Sequence, residues 1–324
     1  MRLLGVELLR LRSRRAVLFL LVVAVVLPGI LLATTAWNTR PVSGAEQERI
    51  ERLVERESQR PYIQRDLEQC VEKPRRYGIG VNEPDVSTAC EQRVLPSAEW
   101  FSERSPLDLR RELSGSGLGV MVVLTLLLML AGTTFAGHDW NSGSMSNQVL
   151  FEPRRMRVWL AKGAAVLVTA LVMAAVVLAA FWTGLWLVAE SRDIVTTGGV
   201  VDTITGRVLR GAPLVAAAAL GAYALTMFFR STVATMGMLF AVAILTPLLI
   251  GVAGIELRWM PQLNFLAVLN DGTFYYDEEL AERCNFGRCG RVPVTLLDGM
   301  AYLGTLLAAA GAMSVLAFRR RDVP

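Results

Sequence analysis

The feature that most limits how this chain can fold is a set of six apolar runs: Ala16 to Ala36, Leu118 to Ala136, Trp159 to Ala189, Val208 to Phe229, Val233 to Gly254 and Val294 to Phe318. A helix of roughly 20 mostly apolar residues crosses about 30 Å of hydrocarbon while satisfying its own backbone hydrogen bonds. Every run reaches that length, so the predicted fold class is an all-α polytopic membrane protein with six transmembrane helices. The third run is long enough to span with tilt or to project beyond the bilayer. An apolar content of 53%, above the roughly 45–50% of soluble domains, agrees with this class.

The polar residues are gathered rather than dispersed. Residues 37–117 are dense in Glu, Arg, Gln and Pro, which predicts a small, mainly helical external domain between the first and second spans. Within it, Ile50, Leu53 and Val54 mark the apolar side of a helix from about Ala45 to Arg60, punctuated by Pro61 and Pro74. Trp100, Phe101, Leu107, Leu109 and Leu113 are expected to pack a cap before the second span.

Residues 1–15 carry Leu4, Leu8 and Leu11 on one stripe and Glu7, Arg10 and Arg14 on another, the pattern of an amphipathic helix lying in the membrane interface. The apolar run 16–36 exceeds the roughly 7–15 residues of a signal-peptide core, so it is expected to remain as an anchor. Beyond the domain, residues 118–318 hold five further spans with an inner loop at 137–158 and an external loop at 255–293, and 319–324 form a tail.

Orientation follows from the basic residues of the short loops, which accumulate on the cytoplasmic side. Arg2, Arg10 to Arg15, Arg154 to Lys162, Arg230 and Arg319 to Arg321 fall on one side; Arg192, Arg207, Arg210, Arg258, Arg283, Arg288 and Arg291 fall on the other, in smaller number, while the basic residues of the long first loop count little because long loops cross largely regardless of charge. Both termini are therefore predicted to be cytoplasmic. Cys70 and Cys90 lie in the long first loop and Cys284 and Cys289 in the last external loop. That segregation suits an oxidising exterior and predicts the pairs Cys70–Cys90 and Cys284–Cys289. A shared four-thiolate zinc site is the alternative, although such sites usually come as two close cysteine pairs.

Several chemistries find little support. Leu113 to Gly117 reads LSGSG, close to a nucleotide-binding-cassette signature, but it lies on the predicted external side and the chain has no G-x-x-x-x-G-K-[ST] phosphate loop. His138, the only histidine, lies near Ser142, Ser144 and Ser146 with no third group to orient it as a catalytic base. The methionines are scattered without the paired spacing of a soft-metal path. The spans hold few charges and no convincing inverted repeat, contrary to an ion-driven carrier.

The connector Gly137 to Gly163, GHDWNSGSMSNQVLFEPRRMRVWLAKG, then stands out. Asn141 or Ser142 is expected to cap a short helix through Met145, Val149, Leu150 and Phe151, which Pro153 ends. Such a helix, flanked by Arg154, Arg155 and Arg157, is suited to docking in a groove of a cytosolic partner.

The pattern Asp139, Gly143, Ser144, Pro153, Arg155, Lys162 resembles the signature of ABC-2 type permeases, and Asp139-Trp140 with Glu152-Pro153-Arg154-Arg155 resembles its actinobacterial branch. Ser144 stands where Thr is usual, and Asp139 where many relatives have Glu. The resemblance extends to the layout, including a Pro-x-x-Asn-x-x-Ala segment at Pro261, Asn264 and Ala267 in the last external loop. It implies a permease subunit in a bacterial cytoplasmic membrane, working with a second copy or sister permease and with two separate ATPase subunits that hold ATP and Mg. This chain would bind no cofactor itself, and its remaining partner would be the lipid bilayer, with no nucleic acid.

In such a complex the inner loop is the coupling helix, and the last external loop dips back as short helices over the translocation path. Trp140, Val149, Leu150 and Phe151 would dock, Arg154 and Arg155 would pair with acidic residues of the ATPase, and Asp139, Gly143, Glu152 and Pro153 would complete the site. The substrate class suggested by the apolar spans is amphiphilic or hydrophobic. Two other classes remain: a non-enzymatic receptor or assembly protein that recognises through its external domain, and an intramembrane hydrolase dependent on His138.

Overall fold

The computed structural model describes residues 2–79, 85–102, 104–277, 280 and 290–321. The chain divides into two compact units, Ala33–Asp108 and the remainder. The boundary differs from the expected 37–117: Leu109 and Leu113 are buried on the short helix α6 (Leu109–Ser114), which packs on α7 (Ser116–Asn141) in the bundle.

The bundle opens with α1 (Arg2–Ser13), breaks at Arg14 and continues as α2 (Arg15–Asn38). After α7 come α8 (Ser144–Phe151), α9 (Arg155–Glu190), α10 (Gly198–Phe229), α11 (Thr232–Ala253), α12 (Pro261–Asn270) and α13 (Leu296–Arg320). Among the described residues, six helices are long and apolar enough to cross a membrane, as expected of a multi-pass membrane protein.

Helix α10 is central, packing on α7, α9 and α13. Its buried stripe is small, with Ala212, Ala216, Ala219 and Ala222 at helical spacing. Small residues let helix backbones approach closely where lipid removes the hydrophobic drive between helices. The approach is tight at Gly132, where a Cβ would fall 2.8 Å from the Ala219 carbonyl, and at Gly163, where it would fall 3.2 Å from the Tyr223 ring. By contrast α11 buries only Thr235 and Ile250.

The expectation of an all-α chain needs one correction. β1 (Thr273–Tyr276) pairs antiparallel with β2 (Arg291–Val294), Thr273 opposite Val294 and Tyr276 opposite Arg291. The runs TFYY and RVPV are aromatic and β-branched, suited to a pleated surface, but four residues are too few to show a period. Tyr275 and Val294 pack with Ala267 of α12 in a small core.

In the Ala33–Asp108 unit, α3 (Gly44–Ser58) is capped by Ser43, whose hydroxyl accepts from the Glu46 amide. Next come α4 (Pro61–Glu72), with Pro61 in the first turn where its missing N–H costs nothing, and α5 (Val86–Val94). The predicted disulfide Cys70–Cys90 joins α4 to α5, with Cα atoms 5.8 Å apart, beside Ile63 and Val94. Oxidised in this way, neither sulfur is free to serve as a zinc thiolate, which removes the four-thiolate alternative. Cys284 and Cys289 lie outside the described residues. Trp100 is 64% exposed and does not cap the unit as expected, whereas Leu107 is buried.

Candidate functional site

The connector between α7 and α9 is organised by a glycine. Asn141 belongs to the last turn of α7, and the Ser142 hydroxyl donates to the His138 carbonyl at 2.7 Å, closing α7 rather than opening the next helix. Gly143, at φ 67°, is the residue that precedes α8. Reversal between two closely spaced helices needs this left-handed conformation, which a Cβ disfavours. The expected cap at Asn141 or Ser142 is thus replaced by a backbone turn. It also accounts for Ser142, whose hydroxyl is committed to helix closure beside an exposed His138.

Helix α8 stops before Pro153, as expected. Met145 is buried and Val149 half-buried, while Leu150 and Phe151 are 80% and 91% exposed. Pro153 and Arg154 are exposed next to them, and Glu152 is half-buried. Two large apolar side chains, presented at the end of a two-turn helix beside a cation, form the protruding part of the site.

Behind this knob lies a buried charge cluster. Asp139, with no exposed surface, is gripped by the Arg14 guanidinium on one carboxylate oxygen and the Lys162 ammonium on the other. Lys162, equally buried, also donates to Glu7 at 2.9 Å. Arg14 donates further to the Phe135 carbonyl at 2.6 Å, and both cations lie 5.0 Å from the Phe135 ring centroid. Two acids and two bases cancel. Compensation of this kind is required, since an ion withdrawn from water without a partner costs several kcal/mol. The cluster ties α1 and the α1–α2 elbow to the ends of α7 and α9.

A second set of contacts fixes α13. The Arg155 guanidinium donates to the carbonyls of Phe318, Arg319 and Arg321 at 3.0, 3.3 and 2.8 Å. These belong to the carbonyl-rich end of a helix, which lacks intrahelical partners and carries partial negative charge. Trp140 meets Phe318 edge-on, ring centroids 6.0 Å apart, and lies 4.7 Å beneath the Arg230 guanidinium. Close by, Gly137 leaves room for Thr232, with which a Cβ would collide.

The predicted residues therefore separate. Val149, Leu150, Phe151, Pro153 and Arg154 reach the surface of the connector, with Glu152 at its margin. Asp139 is buried and Trp140 and Arg155 are half-buried, each held by contacts within the bundle. Glu7, Arg14 and Lys162 were not expected in the site. Residues three and four apart share a helix face, so Glu7 lies beside Leu4 and Leu11 and is buried with that stripe, at 4% exposed against 5% for Leu11, while Leu9 is 70% exposed. The available signal was Lys162, one of two lysines in the chain and embedded in apolar sequence, since an ionisable residue inside a span calls for a partner.

At the opposite end of the bundle, the Asn264 amide donates to the carbonyls of Arg258 and Met260 at 2.7 and 2.9 Å, closing the turn that opens α12. Ala267 is fully buried on the same helix. Arg210 pairs with Asp271 at 3.4 Å. The Pro261, Asn264, Ala267 segment is accordingly the start and inner face of a short helix against α13. Among the described residues, no group of three or more His, Cys, Asp or Glu side chains could hold a metal ion.

Comparisons with protein-family models, curated proteins and solved structures find no match to this chain.

Proposed function

We propose that this protein is the permease subunit of an ATP-binding cassette exporter, seated in a bacterial cytoplasmic membrane with both termini and α8 on the cytosolic side. The observation that carries the reading is α8 itself, a short helix that presents Leu150 and Phe151 to solvent from a connector fastened to three bundle helices. Apolar side chains so exposed, beside Arg154, match an apolar groove with an acidic rim on a partner. The chain has no phosphate loop, so ATP and Mg would be held by two separate ATPase subunits, and a second permease copy or sister subunit would complete the pathway for an amphiphilic or hydrophobic substrate.

Force applied to α8 would reach the spans through two fixed points. Asp139, a few residues before α8, is anchored to Arg14 at the α1–α2 elbow and to α9, and Arg155, just after α8, is anchored to the end of α13. A push on the knob would therefore tilt α7, α9 and α13 together. Asp139, Trp140 and Arg155 position the coupling helix in this scheme, while Leu150, Phe151 and Arg154 make the contact.

Replacing Phe151 by a photoreactive benzoylphenylalanine in cells should cross-link an ATPase with a phosphate loop, identified by mass spectrometry. Leu150→Ala with Phe151→Ala should abolish that association while the protein still inserts and folds. Association that survives the double substitution sinks the proposal. The competing reading, a receptor acting through Ala33–Asp108, predicts instead that deleting this unit abolishes function while the α8 double variant is silent.

A further inference from the structure

Helix α2 buries only Val17, Ala24 and Pro28. Near its far end, Leu32 lies against Gly184 of α9, where a Cβ would approach the leucine to 2.6 Å. At its near end α1 packs on α9. Between these contacts α2 leaves a groove of about 560 Å³, whose apolar walls include Leu18, Leu21 and Val25 of α2 and Thr169 and Met173 of α9. The stretch from Leu18 to Val26 rises about 12 Å at 1.5 Å per residue. That approaches the depth of one leaflet, half of about 30 Å.

Arg12 also lines the groove, at the elbow where α1 gives way to α2. The basic residues around this elbow are not equivalent. Arg10 pairs with Glu7, and Arg14 is consumed by Asp139 and the Phe135 carbonyl. Arg12 and Arg15 are exposed and, among the described residues, carry no ion pair. An apolar slot of leaflet depth thus ends at Arg12, with Arg15 three residues further along the chain at the start of α2.

We propose that this groove binds one anionic phospholipid, an acyl chain lying between α2 and α9 and the phosphate held by Arg12 and Arg15. A zwitterionic lipid could fill the slot equally well but gains less from the arginines, because only an anionic headgroup brings net charge to them. The inference rests on the multi-pass membrane fold and not on the permease proposal, and either can fail alone.

The test is native mass spectrometry of the full-length, delipidated protein titrated with phosphatidylglycerol or phosphatidylcholine. One phosphatidylglycerol should bind in preference to phosphatidylcholine. Arg12→Ala with Arg15→Ala should weaken it by roughly fivefold per arginine, while Arg12→Lys with Arg15→Lys retains most of the preference. Thr169→Trp, which fills the slot, should lower binding of both lipids. A thermal melt of each variant checks that it has folded; should the alanine pair not fold, the lysine pair and Thr169→Trp decide the question. Equal binding of the two lipids by the native protein, or unchanged binding in the folded alanine pair or in Thr169→Trp, overturns the proposal. So does a groove occupied by a second copy, seen as dimers that Thr169→Trp dissociates without loss of lipid.

Discussion

In the bundle, Glu7, Asp139, Lys162 and Arg14 are withdrawn from solvent and neutralise one another, whereas in the Ala33–Asp108 unit Arg52–Glu48 is exposed, and Arg60–Glu57 and Arg104–Glu46 keep part of their surface in water. Exposed pairs of that kind contribute about 0–1 kcal/mol each, because water already solvates both ions. Breaking a buried pair leaves a charge without water or partner, at a cost of about 3–5 kcal/mol. The bundle therefore depends on individual charges, and the smaller unit depends on a covalent link and helix caps. This contrast locates where each region is vulnerable.

The largest effect should come from Lys162→Met, which leaves Asp139 and Glu7 buried with less compensation. We expect a loss of about 3–5 kcal/mol, read as a collapse of the folded fraction in size-exclusion chromatography and a strongly lowered Tm. Adding Glu7→Gln should restore part of it by removing one stranded acid. A Lys162→Met protein as stable as the native one would erase the contrast between the two regions.

Replacing Cys70 and Cys90 by serine should cost about 3 kcal/mol, from the chain entropy regained by a loop with a sequence separation of 20. The loss should be local. Limited proteolysis should open Ala33–Asp108 under conditions that leave the bundle intact, and simultaneous loss of both regions would show that the units do not fold separately.

The smallest effect concerns acid. The Thr88 and Ser87 hydroxyls and then their amides bond to the Asp85 carboxylate, lowering its pKa from 3.8 to about 2. Since the folded value is depressed, the cap's contribution is complete above the unfolded value and is lost as pH falls through about 2. Protection of the Ser87 and Thr88 amides, taken relative to their intrinsic exchange rates, should persist at pH 4 and fall near pH 2, and Asp85→Asn should remove that pH-dependent change in protection. Protection already lost at pH 4 would contradict the cap.

Much of this arrangement was readable in advance. Length and hydropathy suffice for six spans, and Cys70 with Cys90 in one polar segment suffices for their disulfide. Pro153 marks the end of α8 because a residue without an N–H cannot continue it. What could not be read was direction. Helical spacing puts Glu7 on the same face as Leu4 and Leu11 but does not say that an acid there is paired; it is buried with Leu11 because Lys162 of α9 meets it. Counting arginines near span ends assigns a side of the membrane; it does not distinguish Arg154, which reaches solvent, from Arg155, which turns to helix carbonyls formed more than 160 residues later. The β1–β2 pair was hidden for a different reason, since four-residue strands show no period of their own and what buries Tyr275 and Val294 is their packing on Ala267 of the preceding helix.

The clamps on α9 also bear on the order in which the chain is made. Glu7 leaves the ribosome 155 residues before Lys162, a delay of roughly ten to thirty seconds at about 5–20 residues per second. Through that interval Glu7 has no Lys162 ammonium to meet. Arg155 waits as long again for its acceptors, because the carbonyl of Phe318 is made 163 residues after it. Helix α9 is thus held by an acid made long before it and by carbonyls made long after it, and neither clamp can close when the helix is first formed.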